Sequence, residues 1–154
     1  MGDLTVLVVD DESRMRKLIK DFLIQKNFNI LEAEDGERAL KVYEENKEKI
    51  SLILLDVMMP KLDGWSVLRN IRQENKKLPI IMLTARAEEQ DELFGFELGV
   101  DEYITKPFSP KILVARVEAL LKMVDVDLEK EETYEAAFKY FEKNLNELKK
   151  LIDA

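Results

Sequence analysis

A chain of 154 residues, 46% of them hydrophobic, suits one ordinary globular domain with a little to spare. The 24 basic and 32 acidic residues leave a net charge of −8, and no Lys/Arg run could follow a phosphate backbone, so nucleic acid is not an expected partner of this chain. With no cysteine and no histidine, disulfides, thiolate metal sites, imidazole bases and a phosphohistidine donor are excluded; chemistry must rest on carboxylates, hydroxyls and lysines. The N-terminus lacks a basic flank followed by a long apolar stretch, and the apolar runs are strand-sized. A cytoplasmic protein with no membrane span is therefore expected.

In chain order, LTVLVV at 4–9 is a short apolar run of the kind that forms a strand buried on both faces. Met15, Leu18, Ile19, Phe22 and Leu23 follow at helical spacing. A weaker strand, FNILEA at 28–33, precedes a second helical pattern at Ala39, Leu40, Val42 and Tyr43. SLILL at 51–55 and IIML at 80–83 are again buried strands, separated by a helix near 64–74. A helix near 88–98, a fifth strand at 100–104 (VDEYI) and a helix at 110–123 complete the alternation. Strict β/α alternation predicts an α/β fold, a doubly wound five-stranded parallel sheet with its ligands at the carboxyl ends of the strands.

Polar residues stand at those ends. Asp10, Asp11 and Glu12 follow the first strand, Asp56 the third, Thr84 the fourth and Lys106 the fifth. Any one Asp after a strand is most simply a turn former or helix cap, and Ser13 could cap the first helix. As a set, three carboxylates without a counterion repel one another and favour a bound cation. Hard oxygen donors, in a chain without His or Cys, point to Mg²⁺. Lys106, read alone, is a solvated surface charge and Thr84 a strand-end β-branched residue. Beside an acyl phosphate both would donate to phosphoryl oxygens, the division of labour that phosphoryl transfer to a carboxylate requires.

The motifs VLVVDDE at 6–12, LILLDVMMPKLDGW at 52–65, MLTARA at 82–87 and YITKPFSP at 103–110 resemble the receiver domain of bacterial two-component response regulators. The resemblance covers residues 4 to about 123 and is closest to receivers attached to winged-helix DNA-binding domains. It implies a flavodoxin-like strand order 2-1-3-4-5 and a signalling switch, not an enzyme acting on other substrates. Asp56 would be the phosphoacceptor, phosphorylated by a sensor histidine kinase. Asp10, Asp11, Asp56 and the backbone carbonyl of Met58 would hold Mg²⁺, Thr84 and Lys106 would bind the phosphoryl group, and Tyr103 would be the aromatic switch residue. The Lys106–Pro107 bond is expected to be cis.

The chain departs from that pattern in two places. Receivers of the winged-helix subgroup usually dimerise through a band of opposite charges on the fourth helix, fifth strand and fifth helix. Here Arg116 can pair with Asp101 or Glu102, but Glu92, Ile112 and Glu118 replace the usual base, acid and base, beside apolar Leu93, Phe94 and Phe96. A homodimer or partner protein on a more hydrophobic 92–118 face is the expectation. A receiver over 1–124 would then be followed by an extension over 125–154, too short for a winged helix and without a basic face, so no DNA-binding output is expected from it. Tyr134, Phe138, Phe141, Leu145, Leu148 and Ile152 form an apolar seam; the order of acids before lysines favours a separate amphipathic helix over 127–153, while the lack of any Gly or Pro in 111–154 leaves a continuous extension of the fifth helix open. Two other readings compete. A phosphohydrolase with an aspartyl-phosphate intermediate would need a second Asp where Met58 stands, and a pure interaction module would be indifferent to Asp56→Asn.

Overall fold

In the computed structural model, described for residues 4–85 and 89–128 together with Glu142 and Leu145, strands and helices alternate without exception. They are β1 (Thr5–Val9), α1 (Ser13–Ile24), β2 (Asn29–Ala33), α2 (Gly36–Asn46), β3 (Ile50–Asp56), α3 (Gly64–Glu74), β4 (Ile80–Thr84), α4 (Glu89–Leu98), β5 (Glu102–Thr105) and α5 (Pro110–Leu128). All neighbouring strands are parallel, in the order β2-β1-β3-β4-β5. The fold is the expected doubly wound sheet.

Period-2 alternation along the strands divides the core between the two faces of the sheet. From β1, Val6 and Val8 join Ile19 and Leu23 of α1 and Leu113, Val117 and Leu121 of α5. Leu7 and Val9 point the other way, to Ala39, Val42 and Tyr43 of α2 and Val67, Leu68 and Ile71 of α3. β3 and β4 are buried along almost their whole length, which is why their sequences read as unbroken apolar runs.

Several boundaries differ from those read in the sequence. β3 runs on through Asp56, which pairs in register with Leu83. β5 begins at Glu102 because Asp101 uses its side chain, not its carbonyl, to take the Ile80 N–H at 2.8 Å, and Gly99 just before it is left-handed at φ 99°. Ser13 does not cap α1: it is the first helical residue, and the preceding Glu12 makes no side-chain cap. Instead the Glu12 N–H donates to Asp10 Oδ1 at 2.9 Å. α5 continues to Leu128, across the position where the extension was expected to begin.

The chain divides into two compact units, Met1–Leu121 and Lys122–Ala154. In the second, residues 122–128 are the last turns of α5, and Glu142 and Leu145 are helical and exposed. The rest of the expected 127–153 seam lies outside the described residues. Among the described residues no helix is long and apolar enough to cross a membrane.

A single half-buried guanidinium ties the loops at the amino end of β4 together. Arg72, in the last turn of α3, donates to the carbonyls of Gly99 (2.8 Å), Asn75 (3.1 Å) and Leu78 (2.7 Å) and pairs with Asp101 Oδ2 at 3.0 Å. Asp101 is thereby engaged within the domain, and Arg116 pairs with Glu102. Arg72→Ala leaves three carbonyls and a carboxylate short of a donor and should cost roughly 2–3 kcal/mol of stability in urea denaturation. Arg72→Lys should recover little of it, since an ammonium cannot reproduce the planar fork.

Candidate functional site

Register brings the predicted polar residues to one place. Val9 pairs with Leu55, so Asp10 follows β1 beside Asp56 at the end of β3. Asp56 pairs with Leu83, and Thr84, the last residue of β4, pairs with Thr105, directly before Lys106. The backbone holds these ends together: Asp10 N–H donates to Ala33 O at 3.2 Å, Val57 N–H to Leu83 O at 3.3 Å and Lys106 N–H to Thr84 O at 2.6 Å.

Asp10, Asp11 and Asp56 each offer a carboxylate oxygen within 4.8 Å of the others. Asp10 and Asp56 are 1% and 5% exposed, whereas Asp11 faces solvent. Lys106 reaches in from the other side, its Nζ 2.9 Å from Asp10 Oδ2 and 3.7 Å from Asp56 Oδ2. The Met58 backbone N–H weakly favours the charged form of the Asp56 carboxyl, and the Met58 side chain is exposed. Thr84 is fully buried at the strand end. The Lys106–Pro107 bond is cis.

Tyr103 lies two residues before Thr105 on β5, in register with Met82, so it shares a sheet face with the Thr84–Thr105 pair. It is packed inward and stacks on Trp65 of α3, ring centroids 6.3 Å apart with planes at 16°. Trp65 also meets Phe94 of α4 edge-on at 5.0 Å, and the Arg69 guanidinium covers the Phe94 ring at 5.7 Å. Phe94, Phe96 and Ile112 remain exposed on the 92–118 face; the side chains of Glu92 and Leu93 lie outside the described residues.

Residues 6–118 match the sequence profile of the response regulator receiver domain. The chain belongs to that family. The receiver is 48% identical over 121 residues to the alkaline phosphatase synthesis transcriptional regulatory protein PhoP of Bacillus subtilis, covering 79% of this chain and 50% of that protein. It is 53% identical over 122 residues to the transcriptional regulatory protein ResD of the same organism, covering 79% and 49%. The chain thus spans about half the length of the curated relatives it matches. Among solved structures, the Francisella response regulator 1452 receiver domain superposes with a TM-score of 0.75 at 35% identity, over 79% of this chain and 99% of that one.

Burial and the neighbouring Asp10 charge push the Asp56 carboxyl of the receiver up to about 6, against the opposing pull of Lys106. For Lys106, burial works against the charge, but the Asp10 hydrogen bond and the fields of Asp10, Asp56 and Glu12 outweigh it and raise the ammonium above its ordinary value. Reading the sequence left out Arg16, whose guanidinium donates to the Asp10 carbonyl at 2.6 Å and pairs with Glu32. It took Gly64 only as part of the motif at 52–65 and gave it no role, yet a β-carbon there would fall inside the Asp56 carbonyl oxygen and 2.9 Å from Val57 Cα. The Gly64 N–H donates to Val57 O at 2.9 Å, so α3 starts directly against the Asp56 backbone. The Asp-Gly pair at 63–64 was a usable signal, since Asp63 also caps α3 through the Ser66 N–H.

A carboxyl that titrates at 3.8 unfolded and near 6 folded binds more protons in the native state between those values. Its contribution to stability is therefore present below about pH 4, falls as pH rises through 6 and stays low above. Without divalent cations, Asp56→Asn should raise stability at pH 7.5 by about 1–3 kcal/mol in urea denaturation. The gain should vanish as pH approaches 4.

Proposed function

We propose that this receiver is a cytoplasmic phosphorylation switch in which Asp56 accepts a phosphoryl group from a sensor histidine kinase. The observation that carries the reading is the charge balance of the strand-end cluster: three carboxylates face one ammonium, leaving two negative charges uncompensated at a partly water-shielded site. A divalent cation restores the balance, and hard oxygens without His or Cys suit Mg²⁺, held by Asp10, Asp11, Asp56 and the Met58 carbonyl. Bound there, Mg²⁺ would neutralise charge on the transferred group.

The chain's own residues do the rest. An Asp56 oxygen forms the new P–O bond while the P–N bond of a phosphohistidine donor breaks, the imidazole taking its proton from solvent. Lys106, already within 3.7 Å of Asp56, pairs with a phosphoryl oxygen, and the Thr84 hydroxyl donates to another. Movement of Thr84 toward the phosphoryl group would change the packing of Tyr103, which shares its sheet face. Because Tyr103 stacks on Trp65 and Trp65 meets Phe94, that change reaches α4 and the 92–118 face. On this reading residues 1–124 form the switch and 125–154 an extension, and output passes through a homodimer or partner protein at the 92–118 face or the 127–153 helix.

Incubated with acetyl phosphate and Mg²⁺, the wild-type chain should gain one phosphoryl group by intact mass; Asp56→Asn should gain none, and EDTA should abolish the gain. Lys106→Ala should slow it about a hundredfold. Equal labelling of Asp56→Asn would sink the assignment. Beryllofluoride with Mg²⁺ should change the mass or shape seen by size-exclusion chromatography with light scattering in wild type and leave Asp56→Asn unaltered. No change in either would rule out switchable self-association.

A further inference from the structure

Residues 57–63 join Asp56 to α3 and include Met58, whose backbone carbonyl is a proposed ligand beside the three carboxylates. The inner end of this loop is set by the Gly64 contact with the Asp56 backbone. Its outer end rests on a different element. A β-carbon on Gly36, the first residue of α2, would fall inside the Leu62 carbonyl oxygen and 2.7 Å from Leu62 Cβ, so α2 begins in direct backbone contact with the loop. Next to that contact, Lys61 holds a left-handed φ of 69°, uncommon for a residue with a β-carbon, and the Leu62 N–H closes onto Pro60 O at 2.8 Å. Lys61 Nζ lies 3.6 Å from Asp35 Oδ2. Asp35 is 6% exposed, and its other oxygen caps α2 by accepting the Arg38 N–H at 2.8 Å.

We propose that Asp35 and Gly36 are positioning residues for the phosphoacceptor loop: the backbone contact fixes how far the loop stands from α2, and the buried carboxylate holds Lys61, so that together they place Met58 against Asp10 and Asp56 and set the affinity for the divalent cation. The inference rests on the reading above that the carboxylate cluster takes Mg²⁺. Packing of α2 alone does not call for this arrangement, because the closest approach is main chain to main chain and the adjoining residue is conformationally strained. Outer-shell supports of this kind are typically worth ten- to a hundredfold in metal affinity.

The test is the rise in Tm of the full 154-residue chain with Mg²⁺ concentration, which yields an apparent dissociation constant separately from the Mg²⁺-free Tm. Gly36→Ala should weaken Mg²⁺ binding about tenfold or more beyond any loss of Mg²⁺-free stability. A lowered Mg²⁺-free Tm with wild-type Mg²⁺ dependence would show a merely structural role and overturn the inference. Should Gly36→Ala not fold, Lys61→Ala decides, since that side chain is largely in solvent. It should weaken Mg²⁺ about two- to fivefold, with recovery in Lys61→Arg; unchanged affinity overturns the inference. If wild type itself shows no Mg²⁺-dependent rise, the reading of the cluster fails and the inference with it, whereas a wild-type rise matched by the variants defeats the inference alone.

Discussion

Two buried carboxylates, Asp10 and Asp56, stand side by side at the end of a parallel sheet with one ammonium to share, and most of the surrounding structure is arranged around that repulsion. Parallel strands place the ends of β1 and β3 in neighbouring register, which makes the crowding unavoidable. Lys106 relieves part of it, from just past β5, two strands from β3 and three from β1. Burial, together with what remains of that repulsion, keeps the Asp56 carboxyl above the usual carboxylate range, a condition that a divalent cation or a covalent modification would relax.

The strain is tolerable because the sheet supporting it is stiff. β3 and β4 are buried on both faces, and the helices on either side draw on separate apolar clusters. Rigidity at the strand ends matters for any in-line transfer, where misplacement by an ångström is costly. The connecting loop has less secondary structure to steady it, and glycine contacts at both ends supply what regular hydrogen bonding does not.

Much of this was legible in the chain itself. The apolar runs at β1, β3 and β4 marked the sheet, and Asp10, Asp11, Asp56, Thr84 and Lys106 were each found where a strand ends. β/α periodicity carries that information because burial is repeated at every turn or alternate residue. The pairings that pin loops are different in kind. Arg72 with Asp101, Lys61 with Asp35, and Gly36 against Leu62 each join residues distant in sequence through a single contact, and no local pattern announces them. The Ser13 expectation failed because the helix begins one residue sooner than a Ser13 cap requires: Ser13 is already the first helical residue, and Glu12 before it makes no side-chain cap. α4 carries almost no amphipathic signal of its own, as its Gly95 packs on Trp65 and its phenylalanines face outward.

The placement of Trp65 has a practical side. It is the sole tryptophan of the chain, it follows directly on the glycine that abuts Asp56, and its indole touches the rings of both Tyr103 and Phe94. Indole emission responds to the orientation and polarity of its immediate neighbours. The receiver therefore carries a built-in optical probe at the junction between its chemistry and its outer face, readable by stopped-flow without label or mutation.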